Sequence, residues 1–241
     1  MFNFLKIITK NTLNRVGVDI IRLSNSSKDN LLGLGSFPIS SVLDVGANEG
    51  QFARTVSKIF PHATIYSFEP LPEAFQKLTK WAEGMDGKVK VFNVALGDGE
   101  GETTFYYHVE HSPSSSFLKS TELCKNHYPD TAHQTSVQVK VSTLDKVVTQ
   151  LPSHLNQEIL IKLDVQGYEA HVIKGGMKIF SDAKACIIEV NLDRLYDDQA
   201  TFKEIFNLLS DLGYCYAGNW NQAYADDGHV LYCDAVFIKH P

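Results

Sequence analysis

No stretch of this 241-residue chain approaches the roughly 18 consecutive apolar residues that a membrane-spanning helix needs. The opening Met1-Phe2-Asn3-Phe4-Leu5-Lys6-Ile7-Ile8 is too short and too interrupted for a signal peptide. Cysteine is scarce and scattered: Cys124, Cys186, Cys215 and Cys233 form no C-x-x-C pair. Reduced thiols in a cytoplasmic protein are therefore expected, with Cys186 buried in a strand. Basic clusters are missing too. No Lys/Arg run exceeds two residues and the formal charge is −6, which argues against nucleic acid, whose phosphates are bound mainly by neutralising them. There is no internal repeat and no low-complexity tract, and Ser24-Asn25-Ser26-Ser27 is the nearest thing to a linker. What remains, at 44% hydrophobic content, is enough to build one large α/β domain.

One further absence is informative. Val42-Leu43-Asp44-Val45-Gly46-Ala47-Asn48-Glu49-Gly50 is an apolar run closed by an acid and two glycines. A second apolar run ends in Tyr66-Ser67-Phe68-Glu69-Pro70, with Glu69 25 residues after Asp44. This is the layout of a βαβ nucleoside-binding crevice: glycines let the backbone approach the ligand, and the second acid accepts hydrogen bonds from ribose. The G-x-G-x-x-G of a dinucleotide site is not there, because only Gly46 and Gly50 are present, with Asn48 and Glu49 between them. A carboxylate beside a pyrophosphate is unfavourable, whereas an ammonium and a sulfonium tolerate it. The loop therefore favours S-adenosylmethionine over NAD.

The apolar runs alternate with helical stretches, as a doubly wound sheet requires. Strands are expected at 41–45, 63–68, 89–94, 159–164 and 185–190, and helices at 50–59, 72–82, 167–180 and 201–212. Residues 214–217 and 235–239 complete the sheet as an antiparallel pair. Residues 97–141 interrupt the alternation as a substrate-side insertion: a β-ribbon, with 110–134 as an irregular, partly mobile flap. Residues 1–35 form an N-terminal segment in which Leu13, Val16 and Ile20 suggest an amphipathic helix, packed on the domain at 36–241 or touching a membrane surface through 1–23.

Ligands of open α/β sheets bind beyond the carboxyl ends of the strands. Those ends read Asp44, Glu69, Asn93, Asp164 and Glu189. Carboxylates are costly to bury without partners, so their convergence on one edge marks a site. Gly46, Ala47, Asn48, Gly50, Glu69 and Pro70 are expected to hold the cofactor. Asn93 and Ala95 lie where adenine would be gripped, and Asp44 orients the loop or meets the ammonium through water. Asp164 shares a strand face with Lys162, so it either pairs with that lysine or lies beside the transferring methyl. For in-line transfer to an oxygen, Asp164 and Glu189 are the candidate bases, ahead of His108, His111, His127 and His133 in the insertion. Such carboxylates could also hold a divalent metal, since hard cations choose oxygen ligands, but the spacing does not demand one.

These motifs, together with Asn93-Val94-Ala95-Leu96-Gly97-Asp98, Thr143-Leu144-Asp145 and Ile161-Lys162-Leu163-Asp164-Val165-Gln166-Gly167-Tyr168-Glu169, resemble the FkbM family of S-adenosylmethionine-dependent methyltransferases. The resemblance covers roughly residues 40–215 in the family's order. It implies the Rossmann-like class I methyltransferase fold, a mostly parallel seven-stranded sheet with helices on both faces. It also implies O-methylation of a hydroxyl on a sugar, glycan or natural product. Asp44, Gly46, Asn48, Gly50 and Glu69 would then bind the cofactor and Asp164 would line the site. Gln166 stands where members usually have Glu, so a charged role there is lost or moved. Within 110–134 only Ser114-Ser115-Ser116 matches. The alternatives are a nitrogen or protein acceptor, or a non-catalytic cofactor-binding module; neither acceptor identity nor oligomeric state is written in these motifs.

Overall fold

The structure, a computed structural model, describes residues 31–239 apart from 152–154 and 156–157. The expected N-terminal amphipathic helix and the Ser-rich linker lie outside the described residues. The main sheet has seven strands: β1 (Ser41–Val45), β2 (Thr64–Phe68), β3 (Val89–Phe92), β7 (Ile159–Leu163), β8 (Ala185–Asn191), β9 (Cys215–Tyr224) and β10 (Val230–Ile238). Their spatial order is β3-β2-β1-β7-β8-β10-β9. The first five in that order are parallel, and β10 runs antiparallel to both β8 and β9.

Strands β1, β7 and β8 are buried along their whole length, which is why they read as nearly continuous apolar runs. Their alternate residues feed two separate cores. Leu43, Val45, Ile161, Leu163, Cys186 and Ile188 face one layer of helices; Val42, Leu160, Ala185 and Ile187 face the other. The first layer contains α4 (Leu144–Thr149), α5 (Glu169–Gly175), α6 (Met177–Asp182) and α7 (Phe202–Asp211), and α1 (Gln51–Ile59) lies on the second with Ala53 and Val56. The α2 helix (Pro72–Ala82) opens with Pro at its first position and buries Ala74, Leu78 and Ala82. The expected single helix over 167–180 is two short ones that meet at Gly176.

The chain leaves β1 toward β2 on one side, while β7 pairs with β1 on the other. The strand order thus reverses between β1 and β7, and a crevice opens beyond their carboxyl ends. The segment after β3 builds a second sheet from β4 (Ala95–Gly97), β5 (Gly101–His108) and β6 (Gln134–Thr143), with β6 in the middle. The stretch 110–134 is less irregular than its polarity suggests. It contains the helix α3 (Glu122–His127), capped by the Thr121 hydroxyl, and it buries Ser114, Ser115, Ser116, Ser120, Cys124 and Thr131. Small hydroxyl side chains packed inside a fold look like a surface loop in the sequence.

Candidate active site

The glycine loop is held against β7. Gly46 has φ +78, and a Cβ there would fall 1.9 Å from the Asp164 carbonyl oxygen, so only glycine fits. Gly50, at φ +90, starts α1; a Cβ on it would press on Leu78 and Trp81 of α2. Gly50 therefore serves helix packing, and it stands outside the crevice lining. Asn48 adopts the left-handed conformation at φ +46. Its N–H donates to Glu69 Oε2 at 2.8 Å, while Leu71 N–H donates to Oε1 at 2.8 Å.

Two backbone amides thus fix the Glu69 carboxylate at the floor of a crevice, and each oxygen keeps a lone pair for another donor. Gly46, Asn48, Glu69, Pro70, Ala95 and Asp164 all line this crevice, and Phe68, Leu96, Phe105 and Phe117 give it apolar walls. Asn93 does not line it. The third strand ends at Phe92, and the Asn93 amide instead donates to the Glu69 and Pro70 carbonyls at 2.9 Å each. Asn93 shapes the loop that carries Glu69. Glu49 also points elsewhere, to Lys77 at 2.6 Å on the surface. The acidic character of the site therefore comes from Asp44, Glu69 and Asp164 rather than from Glu49.

Asp44 is 1% exposed and accepts the Ser67 hydroxyl at 3.2 Å. Burial pushes its carboxyl up to about 7, against the opposing pull of Lys162 and the Ser67 bond. Burial likewise raises Glu69 to about 7, opposed by the Leu71 and Asn48 amides. With Ala47, Lys162 and Asp164, Asp44 fronts a second cavity beside the crevice.

Lys162 is buried within β7. Burial alone would lower its ammonium, but the carboxylates of Asp164, Asp234 and Glu189 outweigh that and hold it above its ordinary value. Its shorter contact is to Asp234 Oδ1 at 2.9 Å, with Asp164 Oδ2 at 3.4 Å. Both alternatives for Asp164 thus have substance, and Asp234 frees Asp164 from being the lysine's sole partner. Gln166, at φ +56, donates from Nε2 to Asp164 Oδ1 at 2.8 Å and to Glu189 Oε1 at 2.5 Å. A neutral amide therefore links the two candidate bases. Burial and the charge of Asp164 raise the Glu189 carboxyl well above the usual range. Among the described residues no three His, Cys, Asp or Glu side chains are disposed to hold a metal ion.

Glu169 is structural: its Oε1 accepts the N–H groups of Val165 and Gly167 at 3.1 Å, shaping the loop that presents Gln166. The segment 111–117 closes over the strand ends. Ser112 Oγ donates to Asn48 Oδ1 at 3.2 Å, and Ser116 Oγ donates to the Gln166 carbonyl at 2.8 Å. The Tyr196 hydroxyl sits 2.7 Å from Gln166 Oε1 and 3.0 Å from the Ser114 carbonyl. Pro113 at its centre fronts the crevice and the cavities on either side. Of the four insertion histidines, His111 lines the cavity beyond Asp164, while His108 is wholly buried and lowered by desolvation. His133 and His127 lie toward Glu110 and Asp193 respectively.

Sequence reasoning passed over Asn191, Tyr196, Tyr232 and Asp234. Asn191 lies two residues beyond Glu189, on the same strand face, so period two could have found it. Tyr232 and Asp234 come opposite Asn191 and Glu189 through strand pairing, which has no local sequence signal.

The model of the methyltransferase FkbM domain matches residues 44–216, from the first strand-end acid through the glycine loop, Glu69, Asp164 and Glu189. The chain is 28% identical over 177 residues to the 2-O-methyltransferase NoeI of Sinorhizobium fredii, covering 71% of this chain and 72% of that protein. It is 26% identical over 148 residues to the hexuronic acid methyltransferase AglP of Haloferax volcanii, covering 61% of this chain and 54% of that protein. The crystal structure of methyltransferase FkbM from Methylobacillus flagellatus aligns with a TM-score of 0.53 at 12% identity, over 83% of this chain and 44% of that one. That likeness speaks to the fold, and this chain spans less than half of that longer protein. With a switch-point crevice, a glycine loop pressed on β7 and a family match over most of its length, the chain belongs to the FkbM methyltransferase family.

Proposed function

We propose that this protein transfers a methyl group from S-adenosylmethionine to a hydroxyl of a sugar or glycan. The observation that carries the donor assignment is Glu69: a buried carboxylate on the crevice floor, anchored by two amides and with acceptor capacity to spare. Such a group suits the paired hydroxyls of a ribose. Gly46 supports the fit, because the hydrogen in place of a side chain leaves the backbone bare at the crevice. The apolar walls of Ala95, Leu96, Phe105 and Phe117 suit a flat base. Asp44 and Asp164 add negative charge for a cationic ligand. The donor, when bound, supplies an activated methyl group on a sulfonium.

In this reading Gly46, Ala47, Asn48, Glu69, Pro70 and Ala95 bind, and Asp44 sets the charge of the loop. Asp164 sits where the crevice meets the two flanking cavities, and it orients the acceptor hydroxyl. Glu189 takes its proton. Gln166 keeps both carboxylates in place through its two N–H donors. The names of NoeI and AglP, a 2-O-methyltransferase and a hexuronic acid methyltransferase, favour a sugar acceptor. The test is calorimetry with S-adenosylhomocysteine and NAD, followed by labelled methyl transfer to a panel of sugars, phenols and amines. Binding of S-adenosylhomocysteine alone with transfer to sugars is expected. Binding of NAD instead, or transfer only to amines, overturns the assignment.

A further inference from the structure

Beyond Asp164, on the side away from the glycine loop, a cavity is walled by Glu189, Asn191, Tyr128, Tyr196 and Tyr232, with Pro113 as its shared boundary. Three features of this wall have no use within the fold. The Asn191 side chain is 4% exposed, yet neither its Nδ2 nor its Oδ1 has a partner. An amide cut off from water with its donors and acceptor unspent is unfavourable unless a ligand engages it. The Tyr128 and Tyr232 hydroxyls also lack hydrogen-bond partners among the described residues, and burial raises both phenols above their ordinary value, Tyr232 to about 12. The wall therefore offers two phenol donors, a carboxylate acceptor, and an amide that can both donate and accept, all beside aromatic rings. Adjacent hydroxyls on a pyranose, each a donor and an acceptor, match that set, and the apolar face of the ring matches the aromatics.

Charge narrows the class further. No Lys or Arg lines this cavity, whereas Asp164 and Glu189 do. The nearby ammonium, Lys162, is engaged by Asp164 and Asp234. A ligand carboxylate placed here would meet the Asp164 carboxylate and the Glu189 carboxyl, and no basic side chain except His111.

We propose, resting on the reading above, that this cavity holds the acceptor as an uncharged sugar with two neighbouring hydroxyls, gripped by Asn191 and Tyr232, and that it discriminates against uronic acids. Asn191 is a specificity-determining residue of the acceptor site, and the hydroxyl between Asp164 and Glu189 is the one methylated.

The experiment compares methyl hexosides with the matching methyl hexuronides and their methyl esters. Each is titrated at pH 7.5 into protein saturated with S-adenosylhomocysteine, and each is assayed for methyl transfer. At least one hexoside should bind and react. Its uronide should be weaker by about tenfold or more in both readouts, and esterification, which removes the charge and keeps the shape, should recover most of that loss. Asn191→Ala should weaken hexoside binding by about tenfold while S-adenosylhomocysteine affinity holds and the melting temperature stays level or rises, because an unpartnered amide is being removed. Tyr232→Phe should weaken hexoside binding by a smaller factor. A uronide that binds or reacts as well as its hexoside overturns the proposal while leaving sugar methylation standing. An Asn191→Ala melting temperature several degrees lower, with hexoside binding unchanged, overturns it as well. Failure of every sugar to bind or react removes the sugar-methyltransferase reading itself, and the proposal with it.

Discussion

Asp44→Asn probes the electrostatic strain of the site directly. Unfolded, the Asp44 carboxyl loses its proton near 3.8; folded, burial holds the proton until about 7. Between those values the native state binds more protons than the unfolded one, so stability falls as pH rises through the window. Below it both states are protonated and the group contributes nothing; above it the full penalty applies. At about 1.36 kcal/mol per unit, a rise from pH 5 to pH 7 or beyond costs about 3 kcal/mol through this one group. The asparagine amide preserves shape and an acceptor for the Ser67 hydroxyl but never ionises. The gain of Asp44→Asn over the wild type should therefore be about 3 kcal/mol larger at pH 8 than at pH 5. Glu69 and Glu169, also raised to about 7 by burial, push the same way, so the wild type should lose stability from pH 5 to 8 and the variant should lose less. Urea unfolding of the ligand-free proteins at pH 5, 6, 7 and 8 measures both curves. A wild-type midpoint that is flat or rises over this range, or a variant whose profile runs parallel to the wild type, refutes the reasoning.

Glu69→Ala should weaken S-adenosylmethionine binding by about 1–3 kcal/mol, through lost charge-assisted hydrogen bonds, and unchanged affinity in calorimetry would remove Glu69 from the site. Asp164→Asn should keep the fold, because Lys162 retains Asp234 at 2.9 Å, while turnover on the acceptor drops by about 10²-fold. A collapsed melting temperature with normal activity per folded molecule would instead make Asp164 purely the lysine's partner. Tyr196→Phe cuts the tie between Ser114 and Gln166, so amide exchange in 111–117 should quicken while β1 and β7 hold theirs; identical protection in both proteins counts against that tie.

The main sheet was legible because its central strands are buried on both faces, leaving long apolar runs, and because α1 and α2 carry clean helical periodicity. The crevice was legible because Gly46 and Glu69 answer to local rules: a backbone contact that only glycine allows, and an acid at a strand end. Asn93 and Gly50 lie outside the crevice lining for a shared reason. Each sits at the expected place in the sequence, but the chain turns after Phe92 and α2 presses on Gly50, and neither event leaves a local signature. The flap looked polar because its serines are buried in the fold, Ser115 accepting the His108 N–H and Ser116 donating to the β7 loop. The acceptor-side wall was hidden most completely, since Tyr232 reaches Asn191 only through the antiparallel pairing of β10 with β8.

Pro113 has a consequence for how two ligands communicate. It forms a common partition between the crevice and the cavity beyond Asp164, and its ring makes that partition stiff. One end of its loop is tied to Asn48 and the other to Gln166. In the proposed reading a molecule seated on one side holds this wall in place for a molecule on the other, so the remaining cost of ordering it is met once rather than twice. Donor and acceptor therefore favour each other's binding in that reading, and linkage requires that coupling to be equal in both directions.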